Sequence, residues 1–289
     1  MSLIIEDYCL LCNQGASKYN EDIAGITPFG AWVLDGATGL NDKNLVSNTS
    51  DARWYVHWWN DFLYQNISSD KSLKEIISLG IFKIKKDYLN RLNGKIVEKI
   101  DFPSSSIAIL KFHKEKIEYF SLGDCSIFVD NGSKKIIKDD SVCKLDNLVY
   151  EKMKQISEKE KLNFEEIRAS VQNLVISNRL KKNTPHGYWI LDFDENSVEK
   201  AIHGYLDIDG KTSFLLASDG FTCSCDRYDL FSEEDMIDIA RTKGIEYIFN
   251  MIRKFENEDK NALKTPRFKI HDDASAILLN VNAYNYLKL

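Results

Sequence analysis

The largely apolar stretches 4–13 and 30–34 predict two buried strands separated by the polar segment 14–22. Tyr55, Val56, Trp59, Phe62, Leu63 and Ile67 then recur at helical spacing. So do Leu73, Ile76, Ile77, Ile81, Ile84, Tyr88 and Leu92, and two amphipathic helices follow from that period. Trp54, Trp58 and Trp59 belong to this stripe and read as core rather than as a ligand or membrane platform. After Asp101-Phe102-Pro103 the chain turns to short alternating runs at 105–112, 116–122, 126–130 and 134–138. Asn131-Gly132 supplies the positive backbone angles of a two-residue hairpin between the last two runs, so an antiparallel meander is predicted.

Helical spacing returns at 145–156 and at 164–180. Asn163 and Glu166 form a capping-box pattern at the start of the second of these, and Arg179, Lys181 and Lys182 suit its C-terminal end. Strands are predicted at 188–191, 201–206 and 213–217. Ser232 with Asp235 opens a helix that reaches Ala240, a second helix covers 245–255, and a last strand covers 274–281. Strands and helices come in separate runs instead of alternating, which gives an α+β class with largely antiparallel sheets. Similar acidic motifs at both ends of the chain make 1–289 one domain, with a helical insert at about 145–182.

Composition narrows the function classes. With 44% hydrophobic residues the chain can build a full core, and a net charge of −6 argues against nucleic-acid binding, which usually needs a basic face. Nothing approaches the ~18 apolar residues of a membrane span, and Glu6 and Asp7 stand where a signal peptide needs basic residues, so a cytoplasmic monomer without membrane contact is expected. Cysteines at 9, 12, 125, 143, 223 and 225 are too sparse for a disulfide scaffold. Cys9-x-x-Cys12 and Cys223-x-Cys225 read as reduced thiols rather than zinc ligands.

Acids cluster where predicted strands run into loops: Asn20-Glu21-Asp22, Leu34-Asp35-Gly36, Ser218-Asp219-Gly220 and His271-Asp272-Asp273. If those strands are neighbours, several carboxylates converge and repel one another in a poorly solvated place. Divalent cations relieve that conflict, and oxygen ligands without an accompanying His or Cys set favour Mg²⁺ or Mn²⁺ over zinc. No EF-hand spacing is present to suggest calcium buffering.

The segments NQGASKYNED, AWVLDGATG, SSSIAIL, SLGDCSIF, LLASDGF and DDASAILL, in this order across residues 13–279, resemble the successive motifs of the PP2C phosphatases. The resemblance implies a central β-sandwich flanked by helices on both sides, with two divalent cations, Mn²⁺ or Mg²⁺, at one end. It implies that Asp35 bridges the two ions and the Gly36 carbonyl ligates one of them, that Asp219 and Asp272 complete the protein ligands of the other, that Glu21 binds the second ion directly or through water, and that Asp22 orients that shell. Asp124 resembles the acid that, with Asp219, holds a third, weaker ion in some members, although Cys125-Ser126 follows it where the family usually has Ser-Arg. The implied reaction is hydrolysis of phosphoserine or phosphothreonine in a phosphorylated protein, paired with a cognate kinase, by a hydroxide bridging the ions.

Two departures stand out. Many members carry an arginine four residues before the metal-binding Glu to grip phosphate, and here Ser17 stands there with Lys18 beside it; Lys18 can supply charge but not a bidentate fork. Ala37 stands where some eukaryotic relatives have a histidine proposed as general acid, a feature shared with bacterial relatives. His186 reads as a turn residue, and His271 as either a loop residue or a support for Asp272. The alternatives are a feebly active regulatory module that binds phosphorylated partners, and a phosphohydrolase of small metabolites.

Overall fold

The computed structural model describes residues 2–37, 39–40, 43–114 and 116–284, so Thr38 of the Asp35–Gly39 motif lies outside the described residues. In chain order the strands are β1 (Ser2–Asn13), β2 (Asp22–Thr27), β3 (Gly30–Ala37), β4 (Ser104–Phe112), β5 (Lys116–Leu122), β6 (Ser126–Asp130), β7 (Lys134–Ile137), β8 (Ile202–Asp207), β9 (Lys211–Ala217) and β10 (Ala274–Tyr284). The helices are α1 (Asp51–Asn66), α2 (Leu73–Leu92), α3 (Ser141–Lys159), α4 (Phe164–Arg179), α5 (Asp219–Asp226), α6 (Met236–Lys243) and α7 (Ile245–Glu258). The strands form two five-stranded sheets, β1-β10-β9-β6-β7 and β2-β3-β4-β5-β8, and their ladders are antiparallel.

Continuous apolar runs in the central strands have a direct cause: both faces of each sheet are buried. In β3, Ala31 and Val33 point into the core between the sheets, whereas Trp32 and Leu34 point outward under α1 and α2. Phe214 and Leu216 of β9 and Ile277 and Leu279 of β10 fill the inter-sheet core, while Leu215, Ala217, Ala276 and Leu278 face the cluster made with α5, α6 and α7. Each such side chain, fully buried, contributes about 1.5–3 kcal/mol relative to exposure. The architecture is therefore α-β-β-α, the predicted α+β class.

Capping sets the helix starts. The Ser50 side chain accepts from the Arg53 amide at 2.9 Å to open α1, Ser72 and Glu75 form a capping box on α2, and Asn163 and Glu166 form the predicted one on α4. Helices α3 and α4 carry a small core of their own, Val149, Met153, Ile167 and Val171, against which Phe268 packs. The insert starts at Ser141, ahead of the predicted 145, because residues 141–144 contribute no buried apolar position to reveal the period.

Three elements depart from the pattern-based reading. Strand β2 was hidden inside and after the polar segment because it is an edge strand with a weak apolar signal, and a Cβ on its Gly25 would stand 2.5 Å from the Trp32 ring. Residues 188–191 do not form a strand. They make isolated bridges, Tyr188 to Lys182 and Leu191 to Ser105, whose partners lie on different segments, so no ladder can extend. Asp219 begins the short helix α5 and does not lie in a loop.

Candidate active site

The sandwich brings the acidic strand ends to one edge. Asp22 and Asp35 are directly paired across β2 and β3, and Asp35 is paired with Ser106 of β4. Ser218, at the end of β9, and Ser275 of β10 are joined by Ser218 N to Ser275 O at 2.9 Å and by Ser275 N to the Ser218 hydroxyl oxygen at 3.0 Å. This seam sets Asp219 beside Asp272 and Asp273. Gly220 makes the close approach feasible, since a Cβ there would fall 1.9 Å from the Asp273 carbonyl oxygen. Gly36 is equally confined: its amide donates to the Glu21 carbonyl at 3.0 Å, and an added Cβ would sit 2.6 Å from that oxygen.

A cavity of about 800 Å³ opens at this edge. Glu21, Asp35, Gly36, Asp124, Asp219 and Asp272 all line it, joined from the insert by Asp146, Arg168 and Arg179. Two predicted residues do not face it in the same way. Asp22 is buried behind the wall, where its Oδ2 accepts from the Ser218 hydroxyl at 2.8 Å. Lys18 is exposed with its ammonium 5.1 Å from the Tyr19 ring centre, and its neighbour Ser17 is the one that lines the cavity. His186 is exposed, and His271 Nδ1 lies 2.8 Å from Glu256 Oε2.

Several groups at the site escaped the sequence reading. Asp273 is buried and accepts from the amides of Gly15, at 2.7 Å on Oδ1, and Glu21, at 2.8 Å on Oδ2, so it clamps the segment carrying Glu21 to the start of β10. The Glu21 carboxylate accepts from the Ser50 hydroxyl at 2.5 Å, linking it to the start of α1. Asp124 accepts from the Ser106 hydroxyl. Lys269 Nζ lies 2.6 Å from Asp272 Oδ1, and Arg227 lies 3.7 Å from Asp219 Oδ2. The adjacency of Asp272 and Asp273 was visible in the sequence, but their division of labour was not. Asp146 and Arg227 stand in helical contexts where charge is ordinary.

Electrostatics mark the cluster. Desolvation, then repulsion from Asp273, pushes Asp22 up to about 8. Desolvation, followed by Asp22, Asp219, Asp124 and Asp272, holds Asp35 well above the ordinary carboxylate range. Asp124 is pushed up to about 7 by desolvation and Asp219, and Asp146 to about 6 by the same two causes. Asp272 goes the other way: desolvation opposes its charge, but Lys269 and Arg227 outweigh that and lower it.

Among the described residues no three His, Cys, Asp or Glu side chains already enclose a point that could hold an ion. The donor chemistry nonetheless fits hard divalent cations. The cavity wall offers carboxylates and no His or Cys among the described residues, and the desolvation and mutual repulsion that raise Asp35 and Asp124 are what bound cations would relieve.

No protein-family model matches the sequence, and no curated protein matches it. Solved structures do match. The Mycobacterium tuberculosis serine/threonine phosphatase PstP/Ppp superposes with a TM-score of 0.55 at 14% identity, covering 99% of this chain and 100% of that one. This chain has the PP2C-type fold. The fold recurs in the catalytic domain of PstP in complex with two manganese ions, with a TM-score of 0.55 and 15% identity over 97% of this chain and 99% of that one. It recurs again in Stp1 from Staphylococcus aureus, with a TM-score of 0.55 and 14% identity over 96% of each chain. These matches cover 97%, 99% and 96% of this chain.

Proposed function

We propose that this protein is a metal-dependent phosphatase of phosphoserine and phosphothreonine in proteins. The observation that carries the reading is the convergence of Glu21, Asp35, Asp124, Asp219 and Asp272, distant in sequence, on one cavity at the edge of a PP2C-type sandwich. Asp35, Asp219 and Asp272 would hold one divalent ion, Mn²⁺ or Mg²⁺. Asp35, the Gly36 carbonyl and Glu21 would hold a second, and Asp124 with Asp219 a weaker third. When bound, the ions supply positive charge against the phosphoryl oxygens and acidify a water.

The chain's own groups prepare that chemistry. Ser50 holds the Glu21 carboxylate, Asp273 holds its amide, and Ser218 holds Asp22 behind the wall, so the donors are set before substrate arrives. Insert residues Arg168 and Arg179 on the cavity wall add positive charge in reach of a phosphorylated segment. Pairing of β1 with β10, which joins the two ends of the described chain, supports treating 1–289 as one domain with an insert. Six free cysteines suit a reducing cytoplasm, and among the described residues no helix is long and apolar enough to cross a membrane. Both sheets are covered by helices of the same chain, which supports a monomer that meets its phosphoprotein substrates and their cognate kinase in signalling.

The test is turnover of an aryl phosphate and a phosphopeptide panel with Mn²⁺, with Mg²⁺ and with chelator. Activity that needs the ions and falls by at least about a hundredfold in Asp35→Asn is expected, the size seen when a group that stabilises transition-state charge is removed. Turnover indifferent to chelator, or an Asp35→Asn variant as active as its parent, overturns the proposal.

A further inference from the structure

Two of the acids assigned to the ions already face a side-chain cation, and the two pairs differ. Arg227 reaches Asp219 only at 3.7 Å and is packed over the Tyr150 ring, 4.8 Å from its centre, where its charge is shared with Asp226 and other neighbours. Lys269 is on the cavity wall, three residues before Asp272 on the same segment, with Nζ 2.6 Å from Asp272 Oδ1. Asp272 is its hydrogen-bond acceptor among the described residues, and both side chains remain about one-third exposed, 32% and 29%, toward the opening. The Asp273 amide donates to the same Oδ1 at 2.9 Å, so that oxygen already has two donors. An ammonium on a flexible stem is a point charge that can leave without breaking a planar fork.

We propose that Lys269 is a tethered counter-ion that competes with the divalent cation for Asp272 and thereby lowers the site's affinity for metal. The inference rests on the reading of Asp272 as an ion ligand. It follows from charge: a cation entering beside Asp272 must either displace the ammonium from Oδ1 or bind within a few ångströms of it, and both cost binding energy. Loaded, the site leaves a free ammonium at its rim.

Mn²⁺ binding measured by calorimetry and by electron paramagnetic resonance of the free ion tests this without any turnover. Lys269→Met, which keeps the stem and removes the charge, is expected to bind Mn²⁺ roughly tenfold more tightly than the parent, and Lys269→Arg to bind about as weakly as the parent. Lys269→Gln serves as the second neutral variant if Lys269→Met does not fold by circular dichroism. Unchanged or weaker binding in the neutral variant overturns the inference, because the lysine would then be inert or would orient Asp272 for the ion. Mn²⁺ binding by the parent that is lost in Asp35→Asn, together with an unaltered Lys269→Met, removes this inference alone. A parent that binds no Mn²⁺ removes the proposed function with it.

Discussion

Removing the Asp273 carboxylate should loosen the site and destabilise the fold together. Its two oxygens accept from the Gly15 and Glu21 amides at 2.7 and 2.8 Å, and the residue is 3% exposed, so Asp273→Ala leaves one buried and one partly buried donor without their partner. Hydrogen bonds to a charged group are worth about 1.5–3 kcal/mol each, which sets the gross loss at about 3–6 kcal/mol. Part of that is returned, because Asp273 is the second cause, after desolvation, of the unfavourable charge on Asp22. A net loss of about 2–4 kcal/mol is expected. Asp273→Asn is the sharper probe, since it preserves shape and one acceptor but turns an amide donor toward a backbone N–H, and it should lose about half as much. Urea denaturation reads the change as a lower midpoint at constant slope. Mn²⁺ affinity should fall in parallel, because the segment carrying Glu21 is held by the same pair of bonds. Both variants lying within about 0.5 kcal/mol of the parent, the range of ordinary surface changes, would refute this account of how Glu21 is placed.

The metal-free protein should become less stable as pH rises from about 4 to about 8: Asp22, Asp124 and Asp146, with values near 8, 7 and 6, keep protons in the folded state that the unfolded chain has already released. Each such proton gives a slope of about 1.4 kcal/mol per pH unit, and Mn²⁺ should flatten it; a urea midpoint in chelator that is level or rising between pH 5.5 and 7.5 contradicts this. Gly220→Ala must move the Asp273 carbonyl, 1.9 Å from the new methyl, and should cost about 1–3 kcal/mol while displacing Asp219. A variant with parental stability and parental turnover would show that the α5 start tolerates the methyl and that its packing does not place Asp219.

Much of the fold was legible because the strands and helices announce themselves by period. Strands β3 and β9 read from apolar runs covered on both faces, β4 from its alternating pattern and β10 from its apolar core, while α1 and α2 read from spacing and α4 from spacing and its cap. What stayed hidden had no such signature. Strand β2 lies at a sheet edge, α5 is too short for a period to emerge, and residues 188–191 have a strand-like composition with no neighbour in register. The site divided along the same line. Acids at strand ends could be picked out by type and position, and Glu21, Asp35, Asp124, Asp219 and Asp272 do share one cavity. Their supports could not be picked out, since Ser50, Ser218, Lys269 and Arg227 are residue types found everywhere in proteins and act here through partners up to 196 positions away.

The amino-acid sequence by itself determined the α+β class, the candidate carboxylates and the net negative charge, because burial period, residue chemistry and net charge are local or additive properties. Only the tertiary structure decided that Asp272 faces the cavity while its neighbour Asp273 is spent on two backbone amides, and that Lys18 points away while Lys269 points in. Those choices depend on which strand ends meet and which way each chain enters the sheet edge, and pairing across hundreds of residues leaves no mark on the neighbours of any one of them.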